Sequence, residues 1–448
     1  MSLKKTHRRV LAPLAAASIL GLALTGCTGD VAAGDKENTD CSDYETYGTF
    51  DGGEVSISGT IVDAEADRLL ESWADFETCT GIDISYQGTK EFEAQIAVLA
   101  EAGNAPDIGI VPQPGLLQRL ATGGWLQPAP EAVEANVDEF WGEDWKTYGS
   151  HDGTFYAAPL MASVKGFVWY SPTDFEEKGY EVPETLDELT ALSEQIVADG
   201  QQPWCVGFGS GDATGWPGTD WVEDYVLRQA GADVYDQWIN HEIPFNDPQI
   251  VAAFDAVGEI IKNPDMVNGG LGDVSSVIST EMADGGLPIL DGECSMHHQA
   301  SFYEGFWPEG TEVSPDGDVF AFLLPSVEAG GETAVTGGGE FPVAFNEGEE
   351  VDAVRAYLSS DTWANIRVSL GGVISANKGL DPENASSDVL KESIEILQGE
   401  DTVFRFDGSD LMPAAVGADS FFKGIVAWVS GDSTQETVDA IESSWPQD

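Results

Sequence analysis

Apolar and polar positions alternate over residues 55–59, where Val55 and Ile57 mark one face of a strand. Over 64–76 the spacing becomes helical, with Leu69, Leu70, Trp73 and Phe76 along one side. The same change of period then recurs. A second strand is predicted over 82–86, and a second helix over 91–102 carries Phe92, Ile96 and Leu99 and stops at Gly103. Residues 107–111 are a short apolar strand broken by Pro112 and Pro114, and 116–121 form a helix ended by Gly123 and Gly124. Later, 166–170 reads as a strand, and 186–198, 221–229 and 251–262 read as helices. Strands alternating with helices at this spacing predict a largely parallel sheet whose site lies at the strand C-terminal ends. The pattern holds no internal repeat.

Composition narrows this α/β reading. The 448 residues suffice for two domains, and 42% apolar residues with 13 Trp supply a core, which sets aside disorder outside the N-terminal tail. Against 19 Lys and Arg stand 79 Asp and Glu, a formal charge of −60. No basic surface is available to neutralise phosphates, so nucleic acid is excluded as a partner, and anionic substrates and anionic lipid surfaces are disfavoured.

The N-terminus adds a compartment. Lys4, Lys5, Arg8 and Arg9 precede an apolar run over 10–24 that is short for a membrane span, in the order of a secretory signal. Leu24-Thr25-Gly26-Cys27 resembles the lipobox of bacterial lipoproteins, which implies cleavage after residue 26 and lipidation of Cys27. Residues 27–53 then read as a polar tether, and an acylated Cys27 would hold the protein on the outer face of the cell membrane without spanning it. Removing the signal takes four of the 19 basic residues and no acid. Cys41, Cys79, Cys205 and Cys294 remain, an even number that reads as disulfides with three possible connectivities. Cys41–Cys79 and Cys205–Cys294 are preferred because each pair then stays inside one expected domain. Zinc is disfavoured by the absence of CxxC spacing.

Several motifs together resemble a known family. Phe92-Glu93, Gly103-Asn104-Ala105-Pro106-Asp107 and Val111-Pro112-Gln113-Pro114-Gly115 resemble the N-terminal lobe of extracellular solute-binding proteins for sugars. Gly215-Trp216-Pro217-Gly218-Thr219-Asp220-Trp221, His298-Gln299-Ala300-Ser301-Phe302 and residues 404–413 sharpen this towards the α-glucoside-binding branch of carbohydrate ABC importers. The resemblance implies a periplasmic-binding-protein-like α/β fold. It has two lobes, each with a mixed, mostly parallel sheet flanked by helices, three hinge crossings, and a sugar between the lobes. The crossings are expected near 160–165, 320–325 and 371–378. One lobe then comprises 54–162 and 322–374, the other 163–321 and 375–448, and each preferred disulfide falls within one lobe.

A sugar needs an aromatic face and fixed hydrogen-bonding groups. Four Trp lie between Trp204 and Trp238, and Trp216 sits on a Gly/Pro-rich stretch expected to be a loop, open to ligand contact or to lobe packing; packing is the stronger expectation for Trp221. Asp220 is expected at the start of the following helix, as its N-cap, as a bidentate acceptor of sugar hydroxyls, or as both. Gln113 lies between two prolines, in a surface turn or at the ligand. Gly338 and Gly339, with Gly337, form an expected loop where the family implies backbone contact with sugar. Lys165, at the first crossing, is expected to meet the ligand or a carboxylate of the closed state. Arg405 is read as a donor to sugar or, with slight preference, as a structural partner of Asp407 or Asp410. Thr60 and Asp63 are candidates by position after the first strand. Gln299 is a ligand candidate against a core hydrogen bond, whereas adjacent His297 and His298 make no metal site alone. No metal or cofactor is expected.

Two functional classes follow. One is a monomeric lipid-anchored receptor that delivers a neutral oligosaccharide, an α-glucoside such as maltose, trehalose or sucrose, to an ABC permease. The other is a secreted glycoside hydrolase with two carboxylates. With 79 acids such a pair can always be nominated, and no nucleophile elbow or HExxH motif is present, so the receptor is preferred.

Overall fold

Alternation over 53–59 puts Val55 and Ile57 inward in β1 (Gly53–Gly59), the central strand of the first sheet. A computed structural model describes residues 39–271, 274–399 and 402–446; the leader, Cys27 and the tether up to residue 38 lie outside the described residues. In the first sheet, β1 pairs in parallel with β2 (Ile82–Gly88) and β3 (Ile108–Val111), and β13 (Phe341–Ala344) closes the far edge antiparallel to β3. A small hairpin, β4 (Ser150–His151) with β5 (Thr154–Phe155), stands apart. The second sheet is mixed, in the order β11 (Phe320–Leu323), β7 (Phe167–Tyr170), β10 (Cys294–Gln299), β8 (Gln202–Cys205), β9 (Val267–Asn268).

Between these two lies a third sheet that the sequence did not reveal. It holds β12 (Thr333–Gly339), parallel to β14 (Thr402–Phe406) and antiparallel to β6 (Ala162–Val164). The chain leaves this sheet after β6 to enter β7, and returns after β11 to run through β12 into β13. These two passages lie side by side, the Leu324 amide donating to the Gly166 carbonyl at 2.6 Å. This is the two-lobed α/β arrangement expected. β11 continues in the second sheet through Leu323, past the boundary expected at 322, because it pairs with β7 along its whole length.

Apolar clusters sit under each sheet. Val55, Ile57, Ile84 and Ile110 pack with Trp73, Phe76 and Tyr357 below the first, and Trp204, Trp221, Trp238 and Phe254 pack below the second. Residues expected in the tether join the first cluster instead. Ser42–Tyr47 is a 3-10 helix whose Tyr44 is buried, ringed by Phe76 and Tyr357, and Cys41 is bonded to Cys79. Aromatic burial and the disulfide therefore fold the chain from about Asp40 onward. Cys205–Cys294 joins neighbouring strands β8 and β10, so both preferred pairings are present.

Helix ends follow local chemistry. Leu186–Ala198 has the predicted bounds, because Thr185 caps it by accepting from the Glu188 amide, and Leu189, Leu192 and Ile196 keep apolar spacing. The helix predicted over 221–229 begins five residues earlier, at Trp216. Gly215, at φ 114°, makes the turn into it, and Pro217 has the φ and the missing N–H that suit a first helical turn.

Candidate functional site

This earlier start changes what Trp216 and Asp220 do. Trp216 is the first residue of the Trp216–Ala230 helix rather than part of a loop, and its half-buried ring faces Phe302 at 6.2 Å. Asp220 lies a full turn inside the helix, so it caps nothing. It is 2% exposed, and its Oδ1 accepts from Lys165 Nζ at 2.8 Å.

Lys165 is the centre of the arrangement. It occupies the passage between β6 and β7, its amide donates to Thr336 O of β12, and its ammonium also contacts Asp407, which follows β14. The same ammonium lies 5.4 Å from the centroid of the Trp216 ring. Burial alone would strip the proton from Lys165, but the carboxylates of Asp220, Asp407 and Asp410 outweigh it, so Lys165 remains a cation. Burial pushes the Asp220 carboxyl upward, and Lys165 offsets this only in part. Asp410 is raised as well, by burial and then by the Asp407 charge.

Gln113 approaches from the first sheet. It stands in extended conformation at the N-cap of Pro114–Thr122, just beyond β3, and its Nε2 donates to Glu93 Oε2 at 2.7 Å. Its Oε1 is buried without a protein partner, and so are Asp220 Oδ2 and Asp407 Oδ1. The three residues are at most 4% exposed. Buried polar atoms are nearly always hydrogen-bonded, so three such acceptors around one lysine mark a place for donors from a ligand. Asp410 joins the two sides, since it feels the charges of Lys165, Glu93 and Glu340 together.

A second group lies on the first-sheet side. Burial and then the neighbouring Glu65 push Glu340 up to about 7, and Arg367 is within reach of both carboxylates. Arg367 donates through Nη1 to Gly371 O, while its Nε and Nη2 are buried without hydrogen-bond partners. Glu65, Glu93, Arg367, Asp407 and Asp410 were not singled out as ligand candidates. Only their position relative to Lys165 distinguishes the acids, and no sequence spacing encodes it.

The remaining candidates fall elsewhere or act differently. Gly338 and Gly339 are not in a loop but in β12, where Gly339 lies so close to β6 that an added Cβ would come within 2.5 Å of Met161 O. Gln299 ends β10, and its Oε1 accepts from the Ala300 amide at 2.8 Å, the core bond that was the alternative. Arg405 grips Asp236 with two bonds, Nε to Oδ1 at 2.6 Å and Nη2 to Oδ2 at 2.8 Å; neither Asp407 nor Asp410 is its partner. Thr60 is half-buried in the turn after β1, and Asp63 is exposed at the head of Asp63–Glu71 with a φ of 56°. His297 Nδ1 bonds Cys205 O at 2.8 Å, and burial lowers its pKa to about 4, so it is a neutral core group. Trp221 packs edge-on to Trp204.

Asp220, Glu223 and Asp407 bring carboxylate oxygens within 4.8 Å of one another, close enough for a metal ion. Lys165 already bridges two of them, and the two Glu223 oxygens accept from the Gly408 and Ser409 amides at 3.1 and 3.0 Å. The set therefore suits an ammonium better than a metal. One turn further along the helix, Asp224 has all its lone pairs engaged by Arg228, Thr336 and His298, each at 2.8 Å.

Residues 59–292 match the family described as bacterial extracellular solute-binding protein. The chain is 38% identical over 393 residues to the alpha-glucosides-binding periplasmic protein AglE of Rhizobium meliloti, covering 85% of this chain and 84% of that one. It is 35% identical over 412 residues to the osmoprotective compounds-binding protein GgtB of Synechocystis, covering 91% and 96%. Among solved structures, the bacterial solute receptor AcbH superposes with a TM-score of 0.73 over 88% of this chain and 97% of its own, at 18% identity, which is a likeness of fold.

Proposed function

The chain belongs to the bacterial extracellular solute-binding proteins, and we infer from that membership that it is a lipid-anchored receptor for a neutral oligosaccharide of the α-glucoside class. At the coarser level, it is a sugar-binding extracellular receptor of an ABC transporter and not an enzyme. The finer reading adds acylation at Cys27, action as a monomer, and closure of two lobes about the crossings at Gly166, Leu324 and 371–378. In that reading the lobes divide as 54–162 with 325–374, and 163–324 with 375–448.

One observation carries the choice of ligand. Three buried acceptors, Gln113 Oε1, Asp220 Oδ2 and Asp407 Oδ1, surround Lys165 beside the half-open ring of Trp216. Sugar hydroxyls supply donors for such oxygens, and a pyranose C–H face lies well on an indole. AglE, named for alpha-glucosides, supports the substrate class. Calorimetry with maltose, trehalose and sucrose tests it. A saturable heat with one of them and no release of monosaccharide is the expected result, and three flat titrations would overturn the α-glucoside reading. Labelling of the expressed chain by a radioactive fatty acid, lost in Cys27→Ser, tests the anchor.

A further inference from the structure

The cations that face this cleft are each shared by more than one acid. Lys165 is held between Asp220 and Asp407 and lies within reach of Asp410. Arg367 is faced by Glu65 and Glu340. Arg68 is faced by Glu65 and by Glu304, whose carboxylate is also bonded to Ser387. Glu93, tied to Gln113, adds a further carboxyl on the first-sheet side. An incoming anion therefore meets no positive charge that is not already matched, and it meets acids in surplus. The three buried atoms that lack partners near Lys165 are all acceptors, two of them carboxylate oxygens. Each calls for a donor, which a hydroxyl or an ammonium supplies and a carboxylate or phosphate does not. Desolvation in a closed cleft magnifies this difference, because like charges brought together away from water are strongly penalised.

We propose that the cleft selects sugars by charge, accepting a neutral or amine-bearing sugar and rejecting one that carries a carboxylate or a phosphate. The selection rests on the sugar-receptor reading above. It goes beyond it in naming a charge class within the sugars and the side chains that impose it: Asp220 and Asp407 at the floor, and Glu93, Glu340 and Asp410 around it.

The test uses calorimetry on the purified chain. Maltose, trehalose and sucrose are titrated first. The one that binds is then compared with two analogues altered at the same ring position, a 6-phosphate and a 6-amino-6-deoxy sugar. The phosphate ester should bind at least about 100-fold more weakly than the parent, on the scale of a buried like-charge contact. The amine should stay within about tenfold of the parent or bind more tightly. Raising NaCl from about 0.05 to 0.5 M should narrow the gap between the two analogues, since part of the acid surplus is half-exposed. Asp410→Asn, which keeps size and removes charge, should narrow it too.

Equal losses for both analogues would mean that the position is closed by shape, and would overturn selection by charge while leaving the sugar receptor intact. A phosphate ester that binds as well as the parent would do the same. If no sugar binds, the receptor reading fails and the selection falls with it.

Discussion

Asp220 and Asp224 stand one turn apart on the same helix, both buried and both beside a cation, yet their surroundings push them in opposite directions. Burial leaves Asp220 above the usual carboxylate range despite Lys165. Burial would raise Asp224 as well, but Arg228, His298 and Thr336 hold it down at about 2. The difference lies in how many lone pairs are used. Asp224 Oδ1 accepts from Arg228 and Thr336 and Oδ2 from His298, and Arg228 reaches on to Leu324 O, so one carboxylate ties the helix to β10, to β12 and to the second passage between sheets. Asp220 Oδ2 is buried with nothing to accept from. A fully engaged carboxylate is part of the frame, whereas one with an oxygen left over is available to a ligand. Identical residue type and nearly identical burial do not separate these roles; the count of partners does.

That contrast can be broken most forcefully at Asp224. Asp224→Ala leaves Arg228 and His298 buried without their anion and should cost about 3–5 kcal/mol of folding stability. Urea denaturation measures it, and a loss below about 1 kcal/mol would place Asp224 outside the frame. Trp216→Ala should act the other way, weakening sugar binding by about 2–4 kcal/mol in calorimetry while the melting temperature hardly moves.

Stability against pH separates the two kinds of acid by sign. Asp224 is depressed, so its contribution, about 2 kcal/mol, is complete above pH 4 and is lost as pH falls through 2. Glu340, raised to about 7, acts oppositely: the folded state binds its proton more tightly, so stability declines as pH rises from about 4.5 through 7. A maximum near pH 4–5 is the expected outcome for these two groups. Glu340→Gln should flatten the limb above it and Asp224→Asn the limb below, both readable from melting temperatures. The smallest effect is expected at Asp220→Asn, about 1–2 kcal/mol in affinity, with less loss of stability than Asp224→Asn. The reverse order of stabilities would erase the distinction.

The same comparison explains what the sequence could and could not disclose. The period of apolar residues located β1, the Leu186–Ala198 helix and the alternation of strands with helices, because each depends on neighbours a few positions away. It lost the first turn of the Trp216 helix, where Pro217 and Gly218 interrupt the apolar spacing, and it took the three glycines of β12 for a loop. Those glycines are there because β6 passes too close for side chains, a fact of the third sheet. Lys165 was legible because so few basic residues exist to compete for attention. Glu65, Glu93 and Glu340 were not, since among 79 acids nothing local tells a carboxyl in the cleft from one on the surface. Asp407 and Asp410 were noticed only as partners for Arg405, which in fact holds Asp236.

Gly115 opens the Pro114–Thr122 helix against the segment after β14, and a Cβ there would come within 2.9 Å of the Asp410 and Met412 carbonyls. The first sheet's helix thus meets that segment backbone to backbone, with no side chain as a cushion. A single methyl group is therefore enough to act as a doorstop. Gly115→Ala should slow capture of sugar and hasten its escape, seen by stopped-flow tryptophan fluorescence, and unchanged rates would show that the two segments part freely without touching. A receptor wedged in this way would idle beside its transporter, folded and anchored, with its cargo leaving before hand-over.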